Sequence, residues 1–181
     1  MITLTAAEIA LLVGGELHCD KDLLVSKAPV FDSRLATPGC IFLALKGKKV
    51  DGHDFVADAY RAGAMFSLTT HRIDGPCIVV ADVLEALSAL AAFVRKRLTG
   101  LTVVGITGSQ GKTSTKDLLA HMLSVAGPTV APAGSSNNDL GLPITLLQCD
   151  ERTKFCVLEM GARHKGDIAR LCEIAQPHIG V

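Results

Sequence analysis

The chain has 181 residues, enough for one large domain or two small ones. Hydrophobic residues make up 49% and charged residues 20%, which excludes a disordered chain, while Lys+Arg 18 and Asp+Glu 18 cancel and speak against a nucleic-acid surface. Mean hydropathy is high at +0.38, yet the longest greasy stretch, Val83 to Leu98, carries Glu85, Arg95, Lys96 and Arg97, so no apolar run suits a bilayer crossing.

The N-terminal stretch MITLTAAEIALLVGGE has no basic leading region and an early glutamate, unlike a secretory signal. Thr5-Ala6-Ala7-Glu8 reads as a capping box that opens a helix, with Gly14-Gly15 as its stop. Val25 to Phe31 and Cys40 to Leu45 read as strands. A helix is expected over Asp54 to Ala62, with Phe55, Ala59 and Ala62 on one face and Gly63 closing it. Met65 to Leu68 and Cys77 to Val80 read as short buried strands, and Asp82 caps a long helix to about Leu98. A boundary is expected near residue 99. Beyond it come a buried strand (LTVVGIT, from Leu101), a helix over Thr113 to Ala126 and a strand at Thr129 to Ala131. A strand over Lys154 to Met160 and a helix over Asp167 to Ala175 follow. The alternation predicts an α/β protein with a mostly parallel sheet, as a domain over 1–99 and a second over 100–181.

Six cysteines (19, 40, 77, 149, 156 and 172) form no C-x-x-C pair and mostly sit in apolar runs. Reduced buried thiols in a cytoplasmic protein are expected, with a zinc site the less favoured alternative. The chain ends at Ile179-Gly180-Val181 after Pro177, which reads either as the opening of another buried strand in a longer protein or as a short final edge strand.

The segment VVGITGSQGKTSTKDLL, residues 103–119, raises the functional question. Gly108, Ser109, Gln110, Gly111, Lys112, Thr113 and Ser114 sit between a strand and a helix, where phosphate loops sit. Glycines let backbone N–H groups face an anion, a lysine reaches the outer phosphates, and a hydroxyl beside it can ligate Mg²⁺. The first glycine of the pattern G-x-x-x-x-G-K-[ST] is absent, because Ile106 and Thr107 stand in that region. The alternative is an ordinary strand–helix turn with a chance lysine.

Three further segments bear on the choice. They are Asp32-Ser33-Arg34 with PGCIFLALKG and Asp51-Gly52, Asn137-Asn138-Asp139-Leu140-Gly141-Leu142-Pro143, and Glu159-Met160-Gly161-Ala162 with His164 and Gly166-Asp167-Ile168. Together with TGSQGKTS they resemble the Mur ligase family of bacterial peptidoglycan synthesis, and the last two are similar to its dipeptide-adding branch. The resemblance runs from about residue 30 to the end.

It implies an ATP- and Mg²⁺-dependent ligase that joins D-alanyl-D-alanine to UDP-N-acetylmuramoyl-tripeptide through an acyl phosphate. It implies Gly108 to Ser114 as the ATP loop, Lys112 and Glu159 as catalytic residues, and Thr113 and Glu159 as metal ligands. For the UDP-sugar peptide it implies Phe31, Ser33, Arg34, Gly47, Lys48, Lys49 and Val50, with Asn137, Asn138 and His164 as further contacts. Local readings compete: a solvated turn for the lysines, capping for the asparagines, a polar loop for His164. A monomer with small-molecule partners is implied, with the remaining metal ligands and adenine contacts beyond Val181, so these residues alone are expected to be inactive. Another ligase of the superfamily, such as the diaminopimelate- or lysine-adding enzyme or a folylpolyglutamate synthase, and a non-catalytic nucleotide- or UDP-sugar-binding module are the rival readings.

Overall fold

In the computed structural model, residues 1–47, 50–135 and 137–181 are described. The chain starts with β1 (Leu4–Thr5) and α1 (Ala6–Val13). The expected capping box is present. The Thr5 hydroxyl accepts from Glu8 N at 3.1 Å, and the Glu8 carboxylate accepts from Thr5 N at 2.8 Å. Gly14, at φ 62, ends the helix. β2 (Glu16–His18) and β3 (Leu24–Val25) follow. The strand expected over Val25 to Phe31 is shorter than its sequence suggested. Only Leu24–Val25 pairs as a strand, against β1, and Val30 returns as a single bridge to Phe42. Pro29 lies between them and has no N–H for a ladder.

A 3-10 turn, Ser33–Leu35, leads to β4 (Ile41–Leu43). The helix expected from Asp54 begins differently. Asp51 accepts from His53 N at 3.0 Å and starts a 3-10 turn, Gly52–Phe55, which runs into α2 (Val56–Ala62). β5 (Phe66–Thr69) and β6 (Cys77–Val79) complete a sheet ordered β2-β6-β5-β4. β4, β5 and β6 run parallel, and β2 is antiparallel to β6. β2 can approach only because of Gly15: a Cβ there would lie 2.5 Å from Ile78 Cγ2. Phe42, Phe66, Leu43, Leu68 and Ile78 are fully buried.

Asp82 Oδ1 accepts from Leu84 N and Glu85 N and so starts α3 (Val83–Arg97). The chain divides within this helix into two compact units, Met1–Leu90 and Ala91–Val181.

The second unit holds β7 (Thr102–Ile106), α4 (Lys112–Ala126), β8 (Thr129–Val130), α5 (Gly141–Leu146), β9 (Phe155–Glu159), α6 (Asp167–Ala175) and β10 (Ile179–Gly180). Its sheet is ordered β10-β7-β9-β8, and every pair is parallel. Val103, Val104, Ile106, Cys156, Val157 and Leu158 are buried, the continuous apolar pattern of strands covered on both faces. Arg95 is buried and donates to the carbonyls of Ala175 and Gln176, which ties the end of α3 to the end of α6. The six cysteines are free; Cys40, Cys77, Cys149 and Cys156 are buried. Among the described residues no helix is long and apolar enough to cross a membrane.

Candidate functional site

β7 and β9 are register partners up to Ile106 and Glu159. Their C-terminal ends therefore lie side by side, where ligands of parallel sheets bind. From β7 the chain turns through Gly108 at φ 142 and Gly111 at φ 77 into α4. Both values lie in the left-handed region, so glycine is the residue this turn requires. No side chain caps the start of α4, and its first turn carries no acidic residue. Its exposed amide dipoles and positive end favour an anion.

Lys112 Nζ donates to Gly108 O at 2.7 Å, across the loop. Thr113 Oγ1 donates to Glu159 Oε2 at 2.9 Å, and Asn137 Nδ2 donates to Glu159 Oε1 at 2.8 Å. Glu159 is 2% exposed. A buried carboxylate is costly without hydrogen bonds, and here each oxygen has a neutral donor. A carboxylate offers about four lone-pair sites, so acceptor capacity remains on both oxygens. No cluster of three or more His, Cys, Asp or Glu occurs among the described residues. The chain thus offers a hard cation one carboxylate and one hydroxyl, a sparse set of the kind Mg²⁺ uses when phosphates and waters complete its shell.

Asn137 is fastened twice. Its side chain holds Glu159, and its carbonyl accepts from Gly161 N at 2.9 Å. A Cβ on Gly161 would come within 3.0 Å of Asn137 Cγ, so the close approach depends on glycine. Asn138 instead starts α5, where its Oδ1 accepts from Gly141 N at 2.9 Å and Leu140 N at 3.3 Å. His164 and Arg163 give their backbone N–H groups to Asp167 Oδ2, both at 2.8 Å, and these bonds hold the Asp167 carboxyl below its usual range. Both residues are exposed. Ser109, Gln110 and Ser114 are exposed on the loop and the first turn of α4.

The first unit has its own hollow, a cavity of about 590 Å³. Phe31, Ser33, Arg34, Gly47, Val50 and Phe55 line it. Five residues singled out by resemblance, Phe31, Ser33, Arg34, Gly47 and Val50, thus share one cavity. Lys48 and Lys49 lie outside the described residues. Phe31 is 53% exposed and Val50 55%, so apolar surface faces the opening. Arg34 grips Asp32 with two nitrogens, Nε to Oδ1 at 2.9 Å and Nη2 to Oδ2 at 2.6 Å. Those bonds pull the Asp32 carboxyl down to about 2. His53 is committed structurally, with Nδ1 2.6 Å from Asp51 Oδ1 and Nε2 accepting from Thr70 N at 3.2 Å.

Sequence reasoning passed over Lys116. It is 1% exposed and bonds to the carbonyls of Pro132 and Gly134. Its spacing from Thr113, i+3 on α4, puts it on the same inward face, and that was the one available signal.

A parallel sheet, a glycine turn into a helix and a carboxylate on the neighbouring strand end define an α/β protein built around a phosphate-loop-like turn. Comparison with known proteins narrows the class. Residues 30–95 match the model of the Mur ligase family, catalytic domain, and residues 106–181 that of the Mur ligase middle domain. The UDP-N-acetylmuramoyl-tripeptide–D-alanyl-D-alanine ligase of Mycobacterium bovis is 46% identical over 209 aligned positions, which cover 100% of this chain and 41% of that protein. Among solved structures, MurF from Acinetobacter baumannii superposes with a TM-score of 0.88 at 37% identity, over 98% of this chain and 40% of that one. The MurF ligase from Thermotoga maritima in complex with ADP gives 0.72 at 37% identity, over 83% and 36%. The chain belongs to the Mur ligase family. It spans about two fifths of the length of the curated relatives it matches.

Proposed function

We propose that this chain belongs to an ATP-dependent ligase that adds D-alanyl-D-alanine to UDP-N-acetylmuramoyl-tripeptide in peptidoglycan synthesis. Relatives with that name match the whole chain. The observation that carries the reading is the bridge from Thr113 through Glu159 to Asn137 beside the Gly108–Lys112 loop. In this reading residues 100–181 receive ATP and residues 1–99 receive the UDP end of the peptide substrate. The ADP bound to the Thermotoga maritima relative supports the nucleotide half.

The residues divide the work. Backbone N–H groups of Gly108 to Ser114 surround the phosphates. Lys112 exchanges its contact with Gly108 O for an outer phosphate, which neutralises charge as the substrate carboxylate approaches. Glu159 and Thr113 would hold Mg²⁺, which would screen the crowded phosphate oxygens. Asn137 keeps Glu159 aimed by donating to its far oxygen. Asn138, whose side chain holds the start of α5, and His164, on an exposed loop after β9, are the further substrate contacts of this reading. In the first unit, Phe31 offers a ring to the uracil, and Ser33 and Arg34 offer polar groups to the diphosphate. A cytoplasmic, monomeric protein with small-molecule partners goes with this reading.

Equilibrium binding of a fluorescent ADP to the chain, with and without Mg²⁺, tests it. Binding that strengthens with Mg²⁺ and weakens in Lys112→Met is expected. Affinity indifferent to both changes would remove the nucleotide reading.

A further inference from the structure

One buried ion has no part in the chemistry above. Lys116 stands one turn beyond Lys112 on α4 and is 1% exposed. Its Nζ donates to Pro132 O at 2.7 Å and Gly134 O at 2.8 Å, and lies 2.9 Å from Asp117 Oδ1. Two of the three protons of the ammonium go to these carbonyls, and Asp117 adds an ion pair. At 1% exposure Lys116 is turned away from the solvent-facing side of the loop, unlike Lys112.

The burial of this charge is unfavourable unless its bonds are complete, and an apolar side chain of similar length would fill the space at lower cost. What the ammonium adds is position. It fixes two carbonyls in the segment that leaves β8, and the second belongs to Gly134, which sits at φ 65. Asn137 follows three residues later, a distance the chain spans in at most about 10 Å. The segment is therefore pinned at both ends. Lys116 holds it on the side of α4, and Glu159 and Gly161 N hold it on the side of β9.

We propose that Lys116 is a positioning residue for the metal–nucleotide site: by clamping the carbonyls of Pro132 and Gly134 it sets the reach of Asn137, and through Asn137 the aim of the Glu159 carboxylate. The effect on ligand binding rests on the nucleotide reading given above; the effect on Asn137 does not.

The test compares wild type with Lys116→Met, which keeps the length and removes the donor. Gly134→Pro is the second variant. Its fixed negative φ moves the same carbonyl from an exposed loop, and it serves if Lys116→Met fails to fold. Hydrogen exchange is read at Gly161 N, whose acceptor is Asn137 O. The expected result is exchange at Gly161 roughly tenfold faster in the variants, with β7 and β9 amides unchanged. ADP affinity is then measured with and without Mg²⁺. The variants lose most of the gain that Mg²⁺ gives the wild type and keep the affinity measured without it. A merely structural lysine would not split the two. Unchanged exchange at Gly161 in a folded variant overturns the proposal. If wild type binds no ADP while Gly161 loosens as expected, the nucleotide reading falls and the link from Lys116 to Asn137 stands.

Discussion

The two candidate sites of this chain are built by different means. The site at the end of β7 and β9 is polar and assembled from backbone. Two glycines turn the loop, a helix start stays uncapped, and a buried carboxylate is held by Thr113 and Asn137. The cavity of the first unit is lined by side chains, with exposed Phe31 and Val50 beside the Asp32–Arg34 ion pair. On the proposed reading the contrast is one between the demands of a phosphate and those of a base. Phosphate wants fixed dipoles and a cation, and a planar base wants a hydrophobic face and few polar contacts.

Substitutions can separate the two. The largest effect is expected from Lys112→Met. A hydrogen bond to a charged group contributes about 1.5–3 kcal/mol, so ADP affinity should fall roughly 10- to 150-fold. Affinity for uridine diphosphate should hold. Isothermal titration with each nucleotide measures both, and equal losses would merge the two sites into one.

Glu159→Gln comes next. Glutamine can still accept from Asn137, and the Thr113 hydroxyl can turn to accept from the new amide, so the fold should survive. The charge is lost, and the strengthening of ADP binding by Mg²⁺ should shrink about tenfold. Titration of Mg²⁺ at fixed ADP reads this directly, and an undiminished Mg²⁺ effect would move the metal elsewhere.

Phe31→Ala probes the cavity of the first unit. Base–aromatic stacking contributes about 1–3 kcal/mol, and the ring is half exposed, so a loss near the lower figure, about fivefold, is expected for uridine diphosphate. ADP binding at the glycine loop should not change. A loss shared by both nucleotides would point to a general effect on folding.

The smallest effect concerns pH. The Asp32 carboxyl is lowered to about 2 by its hydrogen bonds with Arg34, against an ordinary 3.8. A depressed acid favours the folded state above its unfolded pKa and loses that contribution as pH falls through the folded one. The window is therefore about pH 4 down to about 2. An NMR titration of the Asp32 side chain should give a midpoint near 2, rising toward the ordinary value in Arg34→Ala. A midpoint that ignores Arg34 would dissolve the ion pair as a feature of this cavity.

The sequence was informative where local chemistry decides the structure. Gly108 and Gly111 between a buried strand and a helix announce a tight turn without tertiary context, and Thr5 with Glu8 announces a helix start. It was poor where distant segments decide. β2 is a three-residue antiparallel strand whose partner lies some sixty residues away, and Glu16-Leu17-His18 has no strand period strong enough to announce it. The Val25–Phe31 strand failed because Pro29 breaks the ladder. At the glycine site the pairing of Asn137 with Glu159 was invisible, since 22 residues separate them and only the parallel sheet brings them together. Lys116 was missed for the same reason: a lysine on an amphipathic helix normally faces water, and only the loop after β8 supplies the carbonyls that bury it.

The most direct measurement is a pair of NMR titrations of the labelled chain, one with Mg²⁺·ADP and one with uridine diphosphate. The expected result is that Mg²⁺·ADP shifts the amides of Gly108 to Ser114 and of Glu159 to Gly161, while uridine diphosphate shifts those near Phe31, Ser33, Arg34 and Val50. Mg²⁺·ADP that leaves Gly108 to Ser114 unmoved, or that perturbs only the first unit, would contradict the assignment of this loop to a nucleotide.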